Sequence, residues 1–200
     1  WEPQVPFFSR RYQMILFDNR GAGRSSTPPG PYSIEQMALD TVRLLHHLDM
    51  EKTFVVGLSM GGMIAQELAL ILPHRVQGLV LAATHAGGKM RISGPPEAYQ
   101  RLVDNSGLSP EEIVEKNIPI LFSAKSVANQ PQIIQGYRER QKDIPVQPAE
   151  AFAAQQAAIQ SFDCSRRLSK IKAPTLLLAG EDDQLIPPDN ARRMAEHIPD

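Results

Sequence analysis

Ser59 stands where a hydroxyl could serve as a nucleophile. It is the pivot of Gly57-Leu58-Ser59-Met60-Gly61. The preceding Thr53-Phe54-Val55-Val56 is β-branched and aromatic without polar interruption, which predicts a buried strand, and from Met60 onward the apolar spacing becomes helical. A chain that turns from strand to helix within two residues presents its pivot side chain at the strand's carboxyl end, in a strained conformation. The residues two before and two after must then be nearly without side chain, and Gly57 and Gly61 meet that demand. The helix that starts here aims its free N–H groups and positive dipole end at any anion forming beside Ser59. By chance such a three-position match occurs in roughly one chain of this length in fifteen. The reading therefore rests on the strand before it, the helix after it, and Gly62 where helix and strand pack closely. A serine hydroxyl also needs a base to take its proton and a carboxylate to orient that base. The acidic run Glu181-Asp182-Asp183 follows another strand-like stretch and is the candidate source.

The elements that must position these groups are legible in order. Tyr12 to Asp18 reads as a buried strand running into a loop, Asn19 to Pro31, rich in Gly and Pro. The Gly21-x-Gly23 pair in that loop does not continue as a dinucleotide fingerprint, because no third Gly follows at the required spacing and prolines occupy the helix start. Ser33 with Gln36 gives a capping-box signature, and Ile34, Met37, Ala38, Thr41, Leu44, Leu45 and Leu48 form a helical stripe. His46 and His47 on the other face point about 100° apart, too far to grip one metal ion, and read as solvated surface. The pivot strand, a helix from Met60 to Leu72 and a strand from Val76 to Ala82 follow. This alternation is the rhythm of a parallel sheet with right-handed crossovers. From about Gly87 to Phe162 no strand is evident. Helix starts at Pro95-Pro96-Glu97, Ser109-Pro110-Glu111-Glu112, Pro131 and Pro148-Ala149-Glu150 predict an insertion of about four short helices. The sheet resumes at Pro174 to Ala179, and a last helix runs from about Asp189 to His197. The expected organisation is a core over 1–86, a helical insertion over 87–165 and a second core part over 166–200. The fold class is α/β, a mostly parallel sheet with helices on both faces.

Composition narrows the function. Two hundred residues, 42% of them hydrophobic, can bury one good core. A formal charge of −1 with interspersed signs offers no basic patch for nucleic acid. A single cysteine, Cys164, rules out an internal disulfide framework and fits a reducing, cytoplasmic setting. No apolar run is long enough to span a bilayer. In a parallel sheet all strands present their carboxyl ends at one edge, so Ser59 and the Glu181–Asp183 cluster are delivered to the same side.

Taken together, three stretches resemble the α/β-hydrolase superfamily, in particular lid-bearing esterases, lactonases and cofactor-free haloperoxidases. They are Asp18-Asn19-Arg20-Gly21-Ala22-Gly23-Arg24-Ser25, Gly57-Leu58-Ser59-Met60-Gly61-Gly62, and Gly180-Glu181-Asp182-Asp183-Gln184-Leu185-Ile186-Pro187. The phrase continuing Met63-Ile64-Ala65-Gln66 is most similar to the 3-oxoadipate enol-lactonase-like group. The resemblance implies that Asp183, four residues before Pro187, is the acid. It also implies that the Met60 N–H is one half of an oxyanion hole and that the insertion is a lid. The family's second oxyanion donor and its histidine fall in segments before Tyr12 and after the last helix, so the sequence is expected to be the middle of a longer enzyme and inactive by itself. His197 and His85 suit the base poorly, the first by its helix-end setting and the second by its order. His85, just past a strand's carboxyl end, and the insertion residues Tyr137 and Arg138 are the candidate substrate-binding groups. Arg20 and Arg24 read as loop anchors. The implied function is hydrolysis of a small-molecule ester or lactone through an acyl-serine, with no metal or organic cofactor. The alternatives are C–C bond hydrolysis, perhydrolysis, or ligand binding without catalysis.

Overall fold

The computed structural model describes residues 1–199. After a single helical turn α1 (Val5–Phe8), the chain forms α2 (Ile34–His47), β1 (Thr53–Leu58), α3 (Met60–Ile71) and β2 (Val76–Ala82). An insertion follows with α4 (Pro96–Val103), α5 (Pro110–Leu121), α6 (Ala124–Asn129), α7 (Pro131–Gln141) and α8 (Ala149–Ser161). The chain closes with β3 (Thr175–Leu178) and α9 (Asp189–Ala195). The three strands are parallel in the order β1-β2-β3, with Leu58, Ala82 and Leu178 in register across the sheet.

The helix α3 is apolar nearly all round because it lies between the sheet and α2. Met63, Ile64, Ala65, Leu68 and Ala69 fill the space between Ile34, Met37, Ala38 and Leu45 of α2 and Leu79 and Leu81 of β2. Ser33 opens α2 by accepting the Gln36 N–H on its hydroxyl, which satisfies one orphan donor of the first turn. The second face of the sheet carries Phe54, Val56, Leu58, Leu176 and Leu178, and all five are about half exposed. Among the described residues, helices therefore cover one face of the sheet rather than both.

Two further expectations are corrected. Tyr12 to Asp18 is not a buried strand: the stretch pairs with no strand of the sheet, and Tyr12, Met14, Leu16 and Phe17 are exposed. Ile15 packs against the core, and the Tyr12 ring meets Phe54 edge-on at 5.7 Å. An apolar run marks a surface that favours burial, but a strand also needs a partner for its N–H and C=O groups. The insertion holds five α-helices rather than four. The one not foreseen, α6, is opened by Ser123, whose hydroxyl accepts the Ser126 N–H, without the first-turn Pro of its neighbours.

The insertion leaves and rejoins the core at one neck. Gly87 and Asp163 form an antiparallel bridge, flanked by the Cys164 N–H donating to Ala86 O at 2.9 Å. Its last helix, α8, and the residue Gln147 before it are tied to the loop that follows Asp18. Gln155 Nε2 donates to Arg20 O and Gln147 Nε2 to Gly21 O, each at 2.8 Å. Arg20 is itself fixed by a forked pair to Asp40 at 2.6 and 2.7 Å, over the Tyr32 ring. Its guanidinium is thereby spent on holding the loop.

Candidate active site

The pivot at Ser59 follows from packing of the main chain. Ser59 has φ 52° and ψ −119°, a conformation that residues with a side chain rarely adopt. Its N–H donates to Ala82 O at 2.9 Å, extending the β1–β2 ladder by one residue before the chain turns into α3. A Cβ on Gly57 would lie 2.3 Å from Gly61 O and 2.7 Å from Gly62 Cα, so the strand can approach the helix start only as glycine. A Cβ on Gly62 would lie 2.7 Å from the Thr84 side chain, so the helix start packs closely there against the loop that follows β2 rather than against a strand. Gly61 is different: its Cβ would meet nothing within 4 Å, so the collision argument made for it from the motif does not hold. The Ser59 hydroxyl makes no capping bond to the helix, and the residue is exposed. In the first turn the N–H groups of Met60 and Gly61 have no intrahelical acceptor.

Sequence reasoning missed Thr84. Its hydroxyl donates to Ser59 O at 2.8 Å, while the same carbonyl accepts the N–H groups of Gly62 and Met63. Nothing in the local pattern around Thr84 announces this, because the two residues lie 25 apart in the chain.

Asp183 is half-buried in the loop after β3. Its Oδ1 accepts the N–H groups of Leu185 and Ile186, each at 2.9 Å. Those bonds fix the carboxylate and leave Oδ2 for another donor. Glu181 and Asp182 are exposed. Since β1 and β3 flank β2, the carboxyl ends of their strands stand roughly 10 Å apart at the same sheet edge.

His85 is 1% exposed, in the loop between β2 and the neck. Its Nδ1 accepts the Gly87 N–H at 3.1 Å, so the ring proton sits on Nε2, which is buried without a partner. Burial, joined by the charge of Arg91, pushes the imidazole down to about 4 and keeps it neutral. The ring faces Phe162 beneath the neck, closed off from solvent. Next to it Gln66, fully buried, donates to Gly62 O and His85 O and accepts from the Cys164 thiol, which burial pushes up to about 12. Glu67 is likewise buried and is held by the fork of Arg167.

The insertion residues sit apart from this cluster in sequence and in setting. Tyr137 on α7 packs edge-on against Phe122 at 5.4 Å, and burial raises its hydroxyl above the ordinary tyrosine range. Arg138 is partly exposed and forks onto Glu115 of α5 at 2.5 and 2.8 Å, so its charge is already met. Arg140, two residues on, has no carboxylate partner among the described residues. No group of three or more metal-ligating side chains occurs among the described residues, and no described helix is long and apolar enough to cross a membrane.

A strand-to-helix pivot serine and a carboxylate two strands away at the same edge define the hydrolase class of doubly wound sheets. The family model described as alpha/beta hydrolase fold matches residues 1–200, and the chain belongs to that family. It is similar to 3-oxoadipate enol-lactonase 2 of Acinetobacter baylyi, 32% identical over 198 residues that cover 99% of this chain and 72% of the lactonase. The solved enol-lactonase of Burkholderia xenovorans superposes with a TM-score of 0.81 at 28% identity, covering 99% of this chain and 74% of that one. A thermophilic esterase from Thermogutta terrifontis gives 0.79 at 32% identity, covering 100% of this chain and 72% of its own. The chain is thus an enzyme of the hydrolase class.

Proposed function

We propose that the protein hydrolyses a small carboxylic ester or lactone through an acyl-serine on Ser59. The observation that carries this reading is the backbone of Ser59, held at φ 52° with its hydroxyl free of any capping bond at the mouth of α3. An imidazole, which neither the buried His85 nor the helix-end His197 supplies and which the resemblance places in a segment after the last helix, takes the serine proton between that hydroxyl and Asp183 Oδ2 as Oγ attacks the carbonyl carbon. The tetrahedral oxyanion forms against the Met60 N–H, where the helix dipole favours negative charge. Collapse expels the alcohol, which takes the proton from the imidazolium, and water then repeats the sequence on the acyl-serine. Asp183 contributes by orienting the imidazole and stabilising its cation. The insertion acts as a lid, with Tyr137 and Arg138 on its helices as groups near the substrate path, while His85, sealed beneath the neck, is set aside as a substrate contact.

The substrate class follows from similarity to enol-lactonases. A dicarboxylate lactone needs a cation, and between the two arginines of α7 it is Arg140 that has a charge to spare. The test is mass spectrometry of the enzyme, in the longer form that carries the imidazole, after brief exposure to a p-nitrophenyl ester and to an enol-lactone. An added acyl mass on the peptide holding Ser59, absent in Ser59→Ala, is expected. Turnover that persists in Ser59→Ala would overturn the reading. Ligand-dependent stabilisation with no acyl-enzyme would favour a binding protein instead.

A further inference from the structure

Between the neck and α4 the chain runs through Met90 to Gly94, a strap that leads into the insertion and crosses the loop holding Asp183. Asn190, in the first turn of α9, is 2% exposed and spends its whole side chain on main-chain partners. Its Oδ1 accepts the Ile92 N–H at 2.9 Å, and Nδ2 donates to Ile92 O at 2.8 Å and to Pro187 O at 3.0 Å. The amide therefore pairs both ways with the strap, as a neighbouring strand would, and with its second hydrogen holds the end of the acid loop. Two more contacts join the same segments. Gly94 lies so close to Gln184 that a Cβ there would fall 1.6 Å from the Gln184 carbonyl oxygen. Arg193 donates to Met90 O at 3.2 Å. Gln184 is the residue between Asp183 and Leu185, and Leu185 and Ile186 are the donors that orient the Asp183 carboxylate.

We infer that Asn190 is a positioning residue that locks the strap of the insertion to the Asp183 loop, so that displacement of the strap releases the carboxylate. Its role in catalysis rests on the reading of Asp183 given above; the mechanical link does not. A buried amide serving packing alone would stabilise its surroundings without making the loop answer to the strap. The link is therefore tested from the strap side, with Asn190 left in place. Gly94→Ala puts a methyl against Gln184 O and must lift the strap.

The experiment is residue-resolved hydrogen exchange on the protein and on Gly94→Ala, Asn190→Ala and, as a control at the other anchor of the insertion, Gln155→Ala. Exchange of the Leu185 and Ile186 amides should rise about tenfold or more in the first two variants and stay near the original rate in the control. The α3 amides from Met63 to Ala69 should remain protected throughout, which reports that the fold is intact. Unchanged Leu185 and Ile186 exchange in Gly94→Ala overturns the link, whatever Asn190→Ala does. Ester turnover is read in parallel: faster exchange with kcat lowered and KM held supports the positioning role. Faster exchange with unchanged kcat leaves the mechanical link standing and instead counts against Asp183 as the acid.

Discussion

The two glycines that flank Ser59 are equivalent in the written motif and opposite in space, and this gives a prediction with a sign on each side. A methyl at position 57 would fall 2.3 Å from Gly61 O, 2.6 Å from the Gly61 carbonyl carbon and 2.7 Å from Gly62 Cα. All three are main-chain atoms in the first turn of α3, and none can rotate away. Overpacking costs about 1–3 kcal/mol where side chains can shift; here the backbone itself must move, so Gly57→Ala belongs at about 3 kcal/mol. For a chain of this size that lowers Tm by about 6–12 °C. At position 61 a methyl meets open space, and the residue lies in a helix with φ outside the left-handed region. Alanine there should stabilise by about 0.4–1 kcal/mol, chiefly by reducing the freedom of the unfolded chain. Tm should rise by about 1–4 °C. Thermal melts of the two single variants decide the matter, with the rate at which a fluorophosphonate labels Ser59 reporting the pivot geometry. Gly57→Ala should slow labelling as well as melt early. A Tm loss in Gly61→Ala comparable to that of Gly57→Ala would refute the reasoning, because the helix start would then not be where these contacts place it.

Thr84→Val removes the 2.8 Å bond to Ser59 O while keeping shape; a loss of about 1 kcal/mol is expected, with slower fluorophosphonate labelling of Ser59. His85 supplies a pH dependence. The folded chain keeps it neutral down to about 4, whereas the unfolded imidazole takes up a proton near 6.5, so the unfolded state binds more protons within that window. Stability should therefore fall as the pH drops from about 6.5 toward 4, by about 3 kcal/mol at most, and urea midpoints should lose part of this slope in His85→Gln. Arg167→Ala leaves the Glu67 carboxylate buried without its cation; since Arg167 is partly exposed, a loss of roughly 2–3 kcal/mol is expected in urea melts. Removing both charges with Glu67→Leu and Arg167→Leu should recover part of it. Arg140→Glu should raise KM for a dicarboxylate lactone roughly tenfold or more and leave a neutral ester unaffected, whereas equal effects on both substrates would remove Arg140 from substrate recognition.

Why some of this was legible in the sequence and some was not is a matter of distance along the chain. The pivot could be read because its parts lie within six residues of one another, and the strand, the turn and the first helical turn each leave a local signature. Ser59 and the Glu181–Asp183 cluster could be assigned to one edge because parallel strands all point the same way, an inference that needs topology and no coordinates. The choice of Asp183 within that cluster came from family resemblance; the structure adds that its Oδ1 is taken by two main-chain donors. Thr84 and Asn190 were invisible for the opposite reason, since their partners Ser59 and Ile92 lie 25 and 98 residues away and no periodicity links them. The run Tyr12 to Asp18 misled because alternation and apolarity describe what a side chain favours, while a strand exists only where another backbone accepts its hydrogen bonds. Gly61 misled in a related way. A motif records that a position is glycine, but whether the missing side chain matters depends on what stands opposite it. At position 57 that is the main chain of α3; at position 61 it is open space, and the fold sets nothing against a methyl there.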